Sequence, residues 1–155
     1  MEPVRDELVA GGYKMNLAGI LAGLKEKGLK LTPQRQQIVR ILLREKRPLS
    51  AKEIGELVNK RFPGIGLGTV YRTLDTLKEL GLVSEIVFPD GGRRFELRQE
   101  HRHHLICLGC GRVVSFPFCP DDCVMRVAAA NPDFEIHGHS FSVFGYCGEC
   151  RKAGN

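Results

Sequence analysis

The chain has 155 residues, 43% hydrophobic and 26% charged. This composition excludes a disordered chain and allows one domain or two small ones, and no apolar run reaches the ~20 residues of a membrane-spanning helix. The net charge of +5 is uneven: residues 1–98 carry 18 Lys and Arg against 12 Asp and Glu, whereas residues 99–155 carry 5 against 6. The basic half favours an anionic partner, nucleic acid first, although an ordinary solvated face has the same composition.

Residues 1–15 show no sustained periodicity and read as a loose N-terminal arm. The apolar run at 16–24 follows Lys14 but has no cleavage-site pattern, so it reads as an amphipathic helix with Leu17, Ile20, Leu21 and Leu24 on one side, ended by Gly28. Thr32-Pro33 starts the next helix, because proline at the first helical position lacks a donor that would be unpaired there anyway. Ile38, Ile41 and Leu42 form its buried stripe, and it stops near Lys46-Arg47-Pro48. Ser50-Ala51-Lys52-Glu53 is a capping box that opens a helix with Ile54, Leu57 and Val58 inward. A glycine-spaced turn at 64–68 then delivers a third helix, in which Val70, Leu74 and Leu77 share one side while Thr69, Arg72, Asp75 and Thr76 face away and Tyr71 flanks.

Two strands are predicted at Leu82–Phe88 and Arg93–Leu97, joined by Pro89-Asp90-Gly91-Gly92, since Asp-Gly supplies the positive φ of a tight hairpin. Three helices and a hairpin in this order describe a winged helix-turn-helix, with the third helix in a DNA major groove and Arg93 and Arg94 of the wing near phosphates. Arginine can pair bidentately with guanine, and threonine and tyrosine can meet thymine or phosphate. The boundaries expected are a winged-helix domain at 1–98, a linker at 99–100 and a second domain at 101–155. In that second part His104–Leu108 and Arg112–Phe116 read as strands about a knuckle, Asp121–Ala130 as a helix after Pro120, and Phe134–Phe144 as one or two further strands. The fold class is therefore α+β.

All five histidines and all six cysteines lie between His101 and Cys150. Without a signal-peptide pattern the chain is expected in the cytoplasm, where matched Cys-x-x-Cys pairs hold metal rather than disulfides. Cys107, Cys110, Cys147 and Cys150 supply four thiolates, a closed tetrahedral shell for structural zinc with no position left for catalytic water. The histidines then require a second site. His101 and His103 share a strand face, as do His137 and His139, and imidazoles with a carboxylate accept zinc, iron, manganese, cobalt or nickel, of which iron, zinc and manganese are expected. Cys119 and Cys123 fit small buried residues, an additional soft ligand or a reversible thiol pair. A thiol redox enzyme and a sequence-indifferent DNA-binding protein compete with a regulator, but no histidine–glutamate signature of a catalytic zinc is present, so no enzyme is expected.

The stretches GLKLTPQR (28–35), LSAKEI (49–54), GLGTVYRTLDTLKELGLV (66–83), GGRRFEL (91–97), HHLICLGCG (103–111) and HGHSFSVFGYCGEC (137–150) together resemble the ferric uptake regulator family of metal-dependent bacterial repressors. The resemblance covers nearly everything from about residue 20 to 150. It implies a winged helix followed by a small α/β dimerisation domain, and a homodimer that represses metal-homeostasis genes at a palindromic, AT-rich operator. It also implies that Tyr71 and Arg72 contact the major groove, with Thr69, Arg35, Arg93 and Arg94 nearby and Lys30 in the minor groove. The family's inter-domain sensing positions fall here on Pro48, Glu96, Arg102, His104 and Ser115, of which Glu96 and His104 keep ligand atoms. Its other site falls on His101, His103, Asp122 and His139, all competent, with Cys123 or Glu96 as further ligands. This ligand set does not separate iron-, zinc- and peroxide-sensing subtypes, and the lost sensing ligands weigh against the iron reading without establishing another.

Overall fold

The computed structural model describes residues 9–10, 13–45, 47–98 and 102–154, so the linker residues Gln99 and Glu100, and His101, lie outside the described part. The chain divides into two compact units, Met1–Gln99 and Glu100–Asn155. Among the described residues no helix is long and apolar enough to cross a membrane.

The first unit opens with a two-residue ladder, β1 (Val9–Ala10) antiparallel to β2 (Tyr13–Lys14), inside the stretch expected to be a loose arm. Four helices follow. In α1 (Leu17–Glu26) the Asn16 side chain accepts from the Gly19 amide at 2.9 Å, and Ile20 and Leu24 are wholly buried. α2 (Pro33–Arg44) is capped by Thr32, whose Oγ1 accepts from the Arg35 amide at 3.3 Å. α3 (Ala51–Asn59) carries the full capping box, Glu53 N to Ser50 Oγ at 3.1 Å and Ser50 N to Glu53 Oε2 at 2.8 Å. These caps satisfy amides that the first helical turn leaves without intrahelical partners. α4 (Leu67–Glu79) begins two residues before the threonine expected to open it. A side chain on Gly55 would meet Leu67 Cδ2 at 3.3 Å, so the bare backbone of α3 is what lets α4 pack this close.

The hairpin comprises β3 (Val83–Val87) and β4 (Arg93–Leu97), paired from Val83 opposite Leu97 to Val87 opposite Arg93. Its turn has Gly91 at φ +83, and the Gly92 amide donates to Asp90 Oδ1 at 2.8 Å. Leu49, between α2 and α3, exchanges both backbone hydrogen bonds with Phe95, at 2.9 and 2.7 Å, which ties the wing to the helices. Ile38, Ile54, Leu74, Leu77, Leu82 and Phe95 are all fully buried in one core. Each contributes about 1.5–3 kcal/mol of burial, which places the helical stripes read from the periodicity where folding stability originates.

The second unit is a three-stranded sheet in the order β6-β5-β7, formed by β5 (His103–Cys107), β6 (Val113–Phe116) and β7 (Ser142–Gly145). β5 pairs antiparallel with β6 and parallel with β7. α5 (Asp121–Ala130) follows Pro120, and the short α6 (Gly148–Lys152) follows Cys147. The strand expected from Phe134 shortens to β7: its ladder with β5 is registered from Ser142 to Gly145, and just ahead of it the Phe141 carbonyl accepts from the His104 amide at 3.1 Å while the Phe141 amide turns to the His103 side chain instead of the strand backbone.

Candidate metal centre and nucleic-acid interface

Two groups of metal-competent side chains form among the described residues, and both belong to the second unit. The first is Cys107, Cys110, Cys147 and Cys150, whose sulfur atoms all lie within 4.8 Å of one another. β5 ends at Cys107, and the knuckle closes through Gly111 N to Cys107 O at 2.9 Å with Gly111 at φ +72. Cys147 caps α6 and donates its amide to Cys107 Sγ at 3.2 Å, while Cys150 comes from inside that helix. A side chain on Gly109 would stand 2.8 Å from Cys150 Sγ, so glycine is what allows the two knuckles to close on each other.

This group fits zinc on its own geometry and electrostatics. Cys110 Sγ and Cys147 Sγ are 3.8 Å apart. Zinc–sulfur bonds of ~2.3 Å at the tetrahedral angle separate sulfur atoms by about 3.8 Å. The amides of Cys110 and Cys147 pull the Cys107 thiol down to about 6, towards the thiolate a metal needs. Hydrogen bonds among the thiols, Cys147 first and then Cys107, push Cys150 up to about 12. Four thiolates this close cannot all carry charge unless a cation joins them.

The second group is His103, Cys119 and His139, again with one ligand atom from each within 4.8 Å of the others. His103, at the start of β5, is 1% exposed, and its Nδ1 accepts from the Phe141 amide at 3.3 Å. Its ring stacks on His139 with centroids 5.2 Å apart, and Phe116 and Phe141 flank the pair. Cys119 Sγ lies 2.6 Å from His139 Nε2. Three nitrogen and sulfur donors walled by aromatic rings can hold a transition-metal ion.

The site expected from the sequence was His101, His103, Asp122 and His139. His103 and His139 come together, Asp122 is exposed in the first turn of α5 and outside the group, and His101 is not among the described residues. Cys119, for which the sequence leaves a soft ligand, a small buried residue and a thiol pair open, joins the group, and Cys123 is exposed and outside it. Two prolines, Pro117 and Pro120, bracket Cys119 and restrict the chain there, the one local sign that its position is held. His137 lies 3.5 Å from the Glu135 carboxylate, both exposed, and joins neither group. His104 is buried on the sheet face opposite His103, and Glu96 sits on β4 opposite Ser84, in the other unit.

In the first unit the expected nucleic-acid residues lie on α4, on β4 of the wing and at the start of α2. Arg72 is exposed, its Nη2 3.4 Å from Thr69 Oγ1. Tyr71 packs edge-on against the buried Phe95, with centroids 6.4 Å apart, while the Arg93 guanidinium lies over its ring at 5.4 Å. Arg93 Nη1 also reaches Glu85 Oε1 at 3.2 Å, and Arg94 Nη1 reaches Glu53 Oε2 at 2.9 Å. Arg35 Nη1 donates to the Lys30 carbonyl at 2.8 Å, joining the two basic residues before and within the first turn of α2. The turn ahead of α4 is held by Asn59, which bonds the Gly55 carbonyl at 2.9 Å and both polar groups of the Ile65 backbone at 2.9 and 3.0 Å. That clamp sets the position from which α4 projects.

Residues 26–144 match the sequence model of the Ferric uptake regulator family. The chain is 34% identical over 135 residues to the peroxide-responsive repressor PerR of Staphylococcus epidermidis, spanning 87% of this chain and 90% of that one. Its fold is similar to that of the Helicobacter pylori ferric uptake regulator Fur, a protein with three functional metal binding sites, at a TM-score of 0.76 and 28% identity over 90% of this chain and 97% of that one. It is also similar to the Campylobacter jejuni peroxide stress regulator, at a TM-score of 0.62 and 29% identity over 84% of this chain and 98% of that one.

Proposed function

The chain belongs to the ferric uptake regulator family and is a metal-responsive, DNA-binding transcriptional repressor rather than an enzyme, and we propose that its regulatory ion is held by the histidine–cysteine pocket of the second unit. The observation that carries this reading is the convergence of His103, Cys119 and His139 within 4.8 Å. His101, two residues before His103, is the further ligand expected from the sequence. Cys107, Cys110, Cys147 and Cys150 hold structural zinc, which staples a unit too small to rely on its core alone. The pocket takes a second divalent ion from among iron, zinc and manganese.

A homodimer reads a palindromic, AT-rich operator, with Thr69, Tyr71 and Arg72 of α4 in the major groove. Arg35, Arg93 and Arg94 meet phosphates, and Lys30 enters the minor groove. Support for this part comes from the exposed Arg72 beside Thr69 and from the basic charge of the first 98 residues. The control is linkage: an ion that binds better to the DNA-competent dimer stabilises it, and operator DNA tightens the ion in return. Coupling of about 1–3 kcal/mol shifts operator affinity about 5- to 150-fold.

The test is operator binding by zinc-loaded protein titrated with iron, zinc or manganese, repeated with His103→Ala and His139→Ala. Both variants should keep the four-cysteine zinc and lose the metal-dependent gain in affinity. An unchanged metal response in both would remove the pocket from the mechanism. The 34% identity to a peroxide-responsive repressor supports a second reading, in which the same ion makes the protein peroxide-responsive. In that case peroxide releases the iron-loaded form from the operator, whereas the manganese-loaded form stays bound.

A further inference from the structure

The pocket contains a feature that narrows which ion it accepts. A site of two or three imidazoles and a carboxylate would be tolerant, because nitrogen and oxygen donors suit manganese, iron and zinc alike. Here the carboxylate expected from Asp122 is exposed and outside the group, and the sulfur of Cys119 stands 2.6 Å from His139 Nε2 instead. Position and surroundings hold it there. Cys119 is half-buried between the end of β6 and the start of α5, beside Phe118, whose ring stacks on Phe116 at 4.7 Å. Phe116 in turn lies against His103 at 5.6 Å.

We propose that Cys119 is a thiolate ligand of the second metal site, so that the site prefers thiophilic divalent ions, zinc above all, and discriminates against manganese. The proposal rests on the reading that His103 and His139 form that site. Its chemical basis is donor softness: a thiolate binds zinc and cobalt strongly and manganese weakly, and manganese stands lowest in the affinity order of the first-row divalent ions, which climbs through iron and cobalt to copper and leaves zinc well above manganese. Cys123 is an internal comparison, because it is the other cysteine outside the zinc knuckles and lies outside the group.

Cobalt(II) distinguishes the outcomes. Full-length protein is prepared with one zinc ion per chain in the four-cysteine site and titrated with cobalt chloride, with absorbance followed from the near ultraviolet to the visible. The expected result is uptake of one further cobalt ion with a sulfur-to-cobalt charge-transfer band. That band should persist in Cys123→Ser and disappear in Cys119→Ser. Zinc should displace the cobalt, and a hundredfold excess of manganese should not. Loss of even an outer-shell partner typically weakens metal binding about 10- to 100-fold. Zinc affinity in Cys119→Ser should fall by at least that factor, with zinc retained in the knuckles and an unchanged far-ultraviolet spectrum. Cys119→Asp restores a ligand but a hard one, so it should bind cobalt without the charge-transfer band and shift preference towards manganese. Cobalt uptake without a sulfur band in the unmodified protein overturns the thiolate assignment while leaving the second site standing. No uptake beyond the zinc already present overturns the second-site reading and this proposal together.

Discussion

Arg94 reaches back from the wing to Glu53, its Nη1 donating to Oε2 at 2.9 Å across 41 residues of sequence. The same oxygen accepts the Ser50 amide that starts α3, and Arg47 holds the other oxygen at 3.0 Å. One carboxylate therefore caps a helix and fastens an arginine expected at phosphates. On the proposed binding mode, phosphate competes with Glu53 for Arg94.

Glu53→Gln separates those roles, because glutamine can still close a capping box but cannot pair with two guanidiniums. Glu53 and Arg94 are about a third exposed and Arg47 more than half, so solvent screens both pairs and their loss should cost only about 0.5–1 kcal/mol, or about 2–8 °C in the melting temperature of a domain this size. Operator affinity should rise, and the salt dependence of binding should steepen by about one phosphate contact. Fluorescence anisotropy across a salt series measures both. An unchanged slope would show that Arg94 does not face the phosphate backbone.

Acid should unfold the first unit through two carboxylates. The Lys78 ammonium hydrogen-bonded to Glu85, with Arg93 beside it, holds that carboxyl below the ordinary glutamate range despite its burial. For Glu53, burial pushes upward, but the Ser50 amide and Arg47 outweigh it and the net shift is again downward. With folded values depressed, the unfolded chain binds more protons in acid, so the stabilisation is present above the unfolded value and lost as pH falls through the folded one. Urea melts followed by circular dichroism, the chain having no tryptophan, should show a free energy nearly independent of these groups from pH 7 to about 5 and declining below about 4.5. Glu85→Gln should lower the neutral plateau and flatten the acid limb. A slope unaltered by that change would assign the acid sensitivity to other groups.

Arg72 is the proposed base-reading side chain of α4, exposed and with its Nη2 3.4 Å from Thr69 Oγ1. Arg72→Ala should weaken operator binding by about 1–3 kcal/mol, about 5- to 150-fold, and relax the preference at one base pair per half-site. Arg72→Lys should recover charge but not bidentate specificity. Competition against operators carrying single base changes tells the two modes apart. A loss equal for all sequences, with a smaller salt slope, would make Arg72 a phosphate contact instead.

What could be read from the sequence was what local chemistry decides. Thr32 before Pro33, Ser50 with Glu53, and Asp90-Gly91 each determine a cap or turn within four residues, and each is found where it was expected. The start of α4 lies two residues earlier than the local sequence implies because Gly66 and Gly68 permit any backbone, and Leu67 becomes helical by docking on Gly55, twelve positions away. Cys119 was harder still. Its neighbour His139 is 20 residues distant, and nothing in a Cys-Pro-Asp-Asp-Cys run says which side chain the turn into α5 will aim at a histidine. The four-cysteine group escaped that difficulty because two matched Cys-x-x-Cys spacings carry their own local geometry.

Gly109 links that local geometry to the stability of the second unit. It is exposed, yet a methyl group there would lie 2.8 Å from Cys150 Sγ and 2.9 Å from its Cβ, inside any normal contact. Because Cβ is attached to the α6 backbone, rotating the cysteine side chain cannot relieve both clashes, and the helix carrying Cys150 must move away from the first knuckle. Gly109→Ala should therefore act as a metal-site mutation although it alters no ligand. Zinc content should fall below one ion per chain in competition with a chelator that the unmodified protein withstands, and the second unit should lose its cooperative unfolding, since zinc binding energy is folding energy in a unit this small. Gly148→Ala is the comparison, because it opens α6 in the facing knuckle and a side chain there meets nothing within 4 Å. It should retain zinc. Equal zinc retention in both variants would mean that the knuckles tolerate separation, and that Gly109 is not needed for their closure.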